Sequence, residues 1–255
     1  MASVDRALAL IEVLSASGAG MTLDELAHRS GLPKSSLHRT LAALKRRGFA
    51  TQQRESGRYF LGPELLRAAF GFHDRLDIRA LVRPILTRLR DELNETVHLG
   101  VLDGGDVVYV DKLETTHPIA LTSTIGGRNP AHCTGVGKAL LAWTYPADEA
   151  VARFVRETGP LVARTRASIT SASKLARELA LVRERGYALD LEESERGVRC
   201  IAFPVFVGAP APGAAISVSA PSDRLPDARI RKVVPRFRAI LTAELRSVPA
   251  EAGPG

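Results

Sequence analysis

Residues 22–50 read TLDELAHRSGLPKSSLHRTLAALKRRGFA, which spells two short helices joined by a tight turn. Thr22 is placed to cap the first helix. Glu25, three residues on, completes a capping box in which side chain and backbone satisfy each other's donors. Leu23, Leu26 and Ala27 face inward. Gly31 closes this helix, and Pro33 suits the first turn of the next, where its missing N–H costs nothing. The second helix is expected over 34–47, with Leu37, Leu41 and Leu44 as its buried stripe. Its opposite face carries Lys34, Ser35, Ser36, His38, Arg39, Lys45 and Arg46, and Gly48 stops it.

On the N-terminal side, residues 3–16 form a helix with Ser3 as cap and Asp5 in the first turn. Val4, Ala7, Leu8, Ile11 and Leu14 give it one apolar face, and Gly18 and Gly20 end it. On the C-terminal side, strands are expected over 50–54 and 58–61, hinged at Glu55-Ser56-Gly57. Arg54 and Arg58 flank the tip. Helix, helix-turn-helix and basic hairpin follow one another in the order of a winged helix. In such a motif the N-terminal part of the second helix reaches base edges in the major groove. Lys34, Ser36 and Arg39 occupy those positions, and Arg can bond guanine bidentately. Arg54 and Arg58 suit phosphate or minor-groove contacts. A polar helix face alone fits an ordinary solvated hairpin equally well. The cap, the turn and the basic wing together favour DNA.

Charge agrees. The 255 residues carry 35 Lys/Arg against 28 Asp/Glu, a net +7. Residues 1–60 hold nine of those cations and five of the anions, so more than half of the excess lies in the first quarter. A hydrophobic content of 45% suffices for one large core or two ordinary ones. Two cysteines, Cys133 and Cys200, allow one disulfide but no disulfide framework. With no long apolar run and no signal-peptide profile, a soluble cytoplasmic protein with no membrane association is expected.

Beyond the wing, a helix opens at Pro63 (PELLRAAFGFHDRL), with Leu65, Leu66, Ala69 and Phe72 on one side. A second helical stretch over 78–93 is interrupted by Pro84. Without Gly/Ser-rich sequence, the two read as a stiff connector. From residue 96 the texture changes. TVHLGVL, the turn Asp103-Gly104-Gly105-Asp106 and VVYVDKL form a hairpin. A third strand is expected over 119–125, then a Gly-rich loop, IGGRNPAHCTGVG, and a helix from Gly135. Further helices fit 147–157, 172–185 and 226–246, and strands fit 187–191, 198–207 and 213–220. This is an α+β domain around one sheet.

The GVGK string lacks phosphate-loop spacing, because Lys138 is followed by Ala139. The amides of Gly135, Val136 and Gly137 instead open a helix, and helix N-termini hold anions such as carboxylates. His132, Cys133, Asp190 and Cys200 match no structural zinc spacing and read as core or pocket packing. No nucleophile elbow occurs. Ser217 and Ser219 alternate on a strand and share a face, as a pocket wall or as two buried hydroxyls bonded to backbone. No metal, cofactor or enzymatic activity is expected. Two rival classes remain: an enzyme with an accessory DNA-binding head, and a structural nucleic-acid binder without a ligand.

Seven stretches, in order, carry a resemblance: VDRALALIEVLSA, TLDELAHRSGLPKSSLHRTLAALKRRGF, GRYFLGPELL, ETVHLGVLDGGDVVYVDKLE, AHCTGVGKALLA, ERGVRCIAFPVF and AAISVSAP. The chain resembles the isocitrate lyase regulator (IclR) family of bacterial transcription factors. The resemblance implies a winged helix-turn-helix DNA-binding domain (1–62), a helical linker and dimerisation segment (63–94), a GAF-like α/β effector-binding domain (95–248) and a tail (249–255). It implies homodimers or homotetramers on palindromic double-stranded operators, with small organic acids or aromatic catabolites as effectors. DNA-facing positions fall on Arg6, Thr22, Gly31, Lys34, Ser36 and Arg39, of which Arg6 and Thr22 would act through phosphates. Effector-facing positions fall on Gly135, Val136, Asp190, Cys200, Ser217 and Ser219. Asn129 stands where members taking very small 2-oxo acids have Leu, so the wall is more polar here. The expectation is a ligand-responsive regulator, a repressor of a catabolic operon, whose effector alters operator affinity.

Overall fold

The computed structural model describes residues 3–65, 68, 78–118, 121, 123–206 and 209–246. The chain divides into two compact units, Met1–Asp77 and Ile78–Gly255.

The first unit contains α1 (Ser3–Ser15), α2 (Leu23–Ser30), α3 (Lys34–Arg46) and the hairpin strands β1 (Ala50–Gln52) and β2 (Tyr59–Leu61). The capping box forms: the Glu25 N–H donates to Thr22 Oγ1 at 3.3 Å, and the Thr22 N–H donates to Glu25 Oε2 at 2.7 Å. Gly31 ends α2 at φ 66°, a left-handed conformation that glycine adopts without strain. Pro33 lies one residue earlier than expected, as N-cap of α3. β1 pairs antiparallel with β2, Ala50 opposite Leu61, and Met21 adds a bridge to Tyr59. Leu37, Leu41 and Leu44 are buried with Leu10, Leu14, Met21, Leu26, Ala50 and Tyr59.

Two expectations for α1 need correction. Ser3 is already helical rather than a cap. The buried face is Leu10 and Leu14, with Ala7, Ile11 and Val13 partly packed, while Val4 and Leu8 are 66% and 55% exposed. The helix is apolar nearly all round, so its period does not choose which face meets α2 and α3.

The second unit is a six-stranded antiparallel sheet in the order β5-β4-β3-β8-β7-β6. Its strands are β3 (Thr96–Asp103), β4 (Asp106–Leu113), β5 (Arg128–Pro130), β6 (Ala188–Leu191), β7 (Val198–Val205) and β8 (Ala214–Pro221). Its helices are α4 (Ile78–Leu93), α5 (Gly135–Thr144), α6 (Asp148–Thr158), α7 (Ala172–Arg185) and α8 (Asp227–Arg246). Pro84 does not interrupt α4. Val82, Ile85, Leu86 and Leu89 bury its face completely, and Arg83 donates to both Asp111 oxygens of β4 at 2.8 and 2.7 Å. These contacts outweigh the one backbone bond that proline removes.

Strand alternation sorts the sheet's two faces. Phe203 packs its ring 4.6 Å from Phe237 of α8 on one face. Cys200 and Ala202 meet α5 on the other, so closely that a Cβ on Gly135 would stand 2.8 Å from Cys200 Sγ. The expected strand over 119–125 lies partly outside the described residues, and so does most of the helix opening at Pro63. Among the described part, Leu121, Ser123 and Thr124 are not in a strand, and the strand pairing with β4 is β5. Its position is set by register: Asp106 faces Pro130 and Val108 faces Arg128.

Candidate DNA-reading face and effector cavity

On the head, Lys34, Ser35, His38 and Arg39 are exposed and Ser36 is half-buried. The stripe of Leu37, Leu41 and Leu44 turns this opposite face outward, because helical neighbours three and four apart share a side. Arg6 of α1 joins Ser36 and Arg39 of α3, and Arg47 at its C-cap, around one surface concavity. Arg47 was not among the expected DNA residues, although the Lys45-Arg46-Arg47 run carries the signal. Lys45 turns instead to the wing, donating to Gln52 Oε1 at 2.7 Å and lying over the Tyr59 ring.

The basic residues differ in how they are held. Arg39 and Arg54 are exposed, without a hydrogen bond or ion pair among the described residues. Lys34 pairs with Asp24 at 2.5 Å, but both are well exposed. An exposed pair of this kind contributes about 0–1 kcal/mol and exchanges readily for a phosphate. Thr22 spends its hydroxyl on the cap. Arg58 folds back rather than standing out from the wing. It donates to the Gly20 carbonyl at 2.8 Å and to both Glu25 oxygens at 3.0 and 3.2 Å. Hydrogen bonding from the Thr22 amide, with help from Arg58, lowers the Glu25 pKa. Arg58 therefore ties the wing to the cap of α2. Arg58→Ala is expected to lower head stability slightly, with a smaller loss of DNA affinity than removal of exposed Arg54. Thermal melts and binding isotherms of the two variants side by side check this.

In the second unit, the Gly-rich loop runs through β5 and a 3-10 turn (Ala131–Cys133) into α5. Thr134 caps α5, its Oγ1 accepting from the Gly137 N–H at 3.1 Å. Gly135 and Val136 occupy the first two helical positions, whose N–H groups have no intrahelical acceptor. Both line a small cavity of about 60 Å³, together with Asn129, Asp190, Cys200 and Ser219. Six of the seven expected effector residues thus meet at one place. Ser217 does not line it. It sits further along β8, opposite His98 and Ala202, and is 1% exposed. Its hydroxyl and that of Ser219 lie beside the Cys200 thiol, whose pKa burial pushes up to about 12. Cys133 and Cys200 are both free and buried.

Asp190 is 2% exposed, and its carboxylate is wrapped by the loop that follows. Oδ1 accepts from the Glu193 N–H at 2.7 Å, and Oδ2 accepts from the Ser194 hydroxyl at 2.5 Å. Burial raises its pKa against those bonds. Behind the cavity wall, Lys138 of α5 is 1% exposed and ion-paired with Glu193, with Glu178 of α7 at 3.6 Å. Burial pushes Glu193 up to about 7. Neither this buried pair nor the cavity residues His98, Tyr109 and Ser194 figured in the sequence expectations. A lysine inside the otherwise apolar GVGKALLAW and a histidine inside TVHLGVL were the available signals. Among the described residues, no group of three or more His, Cys, Asp or Glu stands together as a metal site, and no helix is long and apolar enough to cross a membrane.

A basic helix presented outward between a first helix and a wing defines a DNA-binding transcriptional regulator. Residues 3–54 match the family described as "IclR helix-turn-helix domain", and residues 71–244 match "Bacterial transcriptional regulator IclR C-terminal". The chain belongs to the IclR family. It is 37% identical to the transcriptional repressor IclR of Escherichia coli over 89% of this chain and 83% of that one. It is 38% identical to the HTH-type transcriptional regulator BhcR of Paracoccus denitrificans, over 89% and 80%. The solved IclR structure of Thermotoga maritima superposes with a TM-score of 0.78 at 26% identity, covering 96% of both chains. These relatives are regulators of transcription, not enzymes, and so is this chain.

Proposed function

We propose that the protein is a repressor that binds a pseudo-palindromic operator as a homodimer or homotetramer in the cytoplasm, and that a small organic acid in the α5 cavity alters operator affinity. Arg6, Lys34, Ser35, Ser36, His38, Arg39 and Arg54 serve DNA in this reading, with Thr22 and Arg58 holding the head in shape. The observation that carries the effector half is the start of α5. The two residues whose amides lack intrahelical acceptors line a cavity that is also lined by Ser219, Asn129 and Asp190. Amides at a helix N-terminus, aided by the helix dipole, favour a carboxylate. About 60 Å³ holds a few waters, far less than the roughly 300–1,000 Å³ of drug-sized ligand sites. The effector is therefore a very small acid, or its entry widens the cavity.

The test couples two measurements on the full-length protein. Small carboxylates are screened by thermal shift, since a ligand of the native state raises its melting temperature. Each hit is then titrated into a complex with a duplex selected from a random pool. A stabilising acid is expected to change DNA affinity by about 5–150-fold. An acid that stabilises without changing affinity would reject the regulatory link. No stabilising acid would reject the cavity as an effector site.

A further inference from the structure

The cavity has a second polar end, formed by His98 of β3. His98 is 3% exposed and lines the cavity. Its Nε2 stands 2.7 Å from Ser123 Oγ. Its Nδ1 is buried and has no hydrogen-bond partner among the described residues. Buried polar atoms are nearly always paired, so this nitrogen is a vacant hydrogen-bonding position.

The ring's surroundings fix its chemistry. Burial, with the Lys112 cation nearby, lowers the His98 pKa to about 3. The imidazole is therefore neutral across the physiological range and adds no positive charge to draw a carboxylate. A neutral imidazole has one N–H and one lone pair. With Nε2 engaged by Ser123, Nδ1 offers whichever of the two Nε2 lacks. The group that meets either need is a hydroxyl, which both donates and accepts. Tyr109 lies against the ring at 4.8 Å between centroids, and its hydroxyl stands 3.5 Å from Asn129 Nδ2. This end is therefore polar and uncharged, whereas the α5 end favours an anion. Because the cavity is so small, one short molecule spans both.

We infer that His98 reads a hydroxyl on a short hydroxy acid whose carboxylate sits at the N-terminus of α5. This rests on the effector-cavity reading proposed above. His98 then sets specificity, because an acid of the same size lacking the hydroxyl leaves Nδ1 unmet.

Calorimetric titration of the full-length protein with two matched pairs, glycolate against acetate and lactate against propionate, tests it. In the wild type the hydroxy acid of at least one pair is expected to bind about tenfold or more tightly than its partner. His98→Phe keeps a ring but no nitrogen, and His98→Leu keeps only bulk. Each is expected to bind both members of that pair alike, with the affinity for the hydroxyl-free acid within about threefold of wild type. A wild type without preference, or a preference that survives in a folded variant, overturns the role of His98 and leaves the cavity standing. Binding of none of the four acids to the wild type overturns the short-acid cavity itself, and this inference with it. Should neither variant fold, a wild type without preference still overturns the role of His98.

Discussion

Lys138→Met is expected to destabilise the second unit by about 3–5 kcal/mol, the usual cost of removing one partner from a buried ion pair. Lys138 is 1% exposed on α5, and the side chain facing it, Glu193, is 8% exposed. The methionine fills similar space, so the loss comes from the carboxylate left behind and not from a cavity. Glu178 does not replace the cation, since it is itself an anion, held by Arg185 at 2.7 Å. The loss has a pH signature. In the wild type, burial pushes Glu193 up to about 7 and Lys138 opposes that rise. Without the cation the folded-state pKa climbs further above the unfolded value. A carboxyl with a raised pKa contributes stability below its unfolded pKa and loses it as pH rises through its folded one. The deficit of Lys138→Met should therefore be largest near pH 8 and shrink towards pH 5. Denaturation followed by the fluorescence of Trp143, the single tryptophan and also on α5, reads both effects. A deficit that grows as pH falls would mean that Glu193 is not the group left uncompensated. Replacing both partners by apolar residues should recover most of the loss, because a buried pair as a whole roughly breaks even.

Arg39→Ala is expected to weaken binding to the selected operator by about 10–100-fold, the range of one good bidentate base contact, with little change in melting temperature. Arg39 is exposed and makes no hydrogen bond or ion pair among the described residues, so its removal leaves nothing inside the head unsatisfied. It shares a concavity with Arg6, Ser36 and Arg47, which fits a side chain placed over a groove. Comparison with Lys34→Ala separates reading from attraction. If Lys34 holds a phosphate, its removal weakens operator and scrambled duplex alike and lowers the salt slope by about one. If Arg39 holds a base edge, its removal weakens the operator selectively and relaxes preference at one base pair. Anisotropy titrations on both duplexes at several salt concentrations distinguish these. An unchanged operator-to-scrambled ratio in Arg39→Ala would remove that residue from the reading set.

The head was legible because its signals are local. Thr22 and Glu25 cap within one turn, Gly31 supplies a left-handed residue, and Leu37, Leu41 and Leu44 repeat at helical spacing. Each feature spans fewer than ten residues, so no distant partner can change its meaning. Where the head was misread, the local pattern was degenerate. Apolar residues nearly encircle α1, and only packing turned Leu10 inward and left Val4 and Leu8 outside. Arg58 belongs to the wing by sequence, and its tie to Glu25, thirty-three residues away, is a contact that no local pattern carries.

The effector region divides the same way. Gly135 and Val136 were readable as a helix start, since a Gly-rich loop before an apolar run needs no long-range information. Sequence by itself determined the winged head and its basic outer helix, through short-range patterns of hydrophobicity, capping and turn chemistry, while the resemblance of seven stretches supplied the family and most of the polar residues expected at the cavity. Only the tertiary structure decided which of them meet. Antiparallel register between β3 and β8 set Ser217 opposite His98 and moved it off the cavity wall, while the same ladder kept Ser219 on it. Burial between sheet and α5 left His98 neutral with one nitrogen unmet, and paired Lys138 with Glu193 across fifty-five residues of chain. Pairing register, desolvation and vacancy depend on what stands opposite a residue in space, and a linear chain does not carry that neighbour beside it.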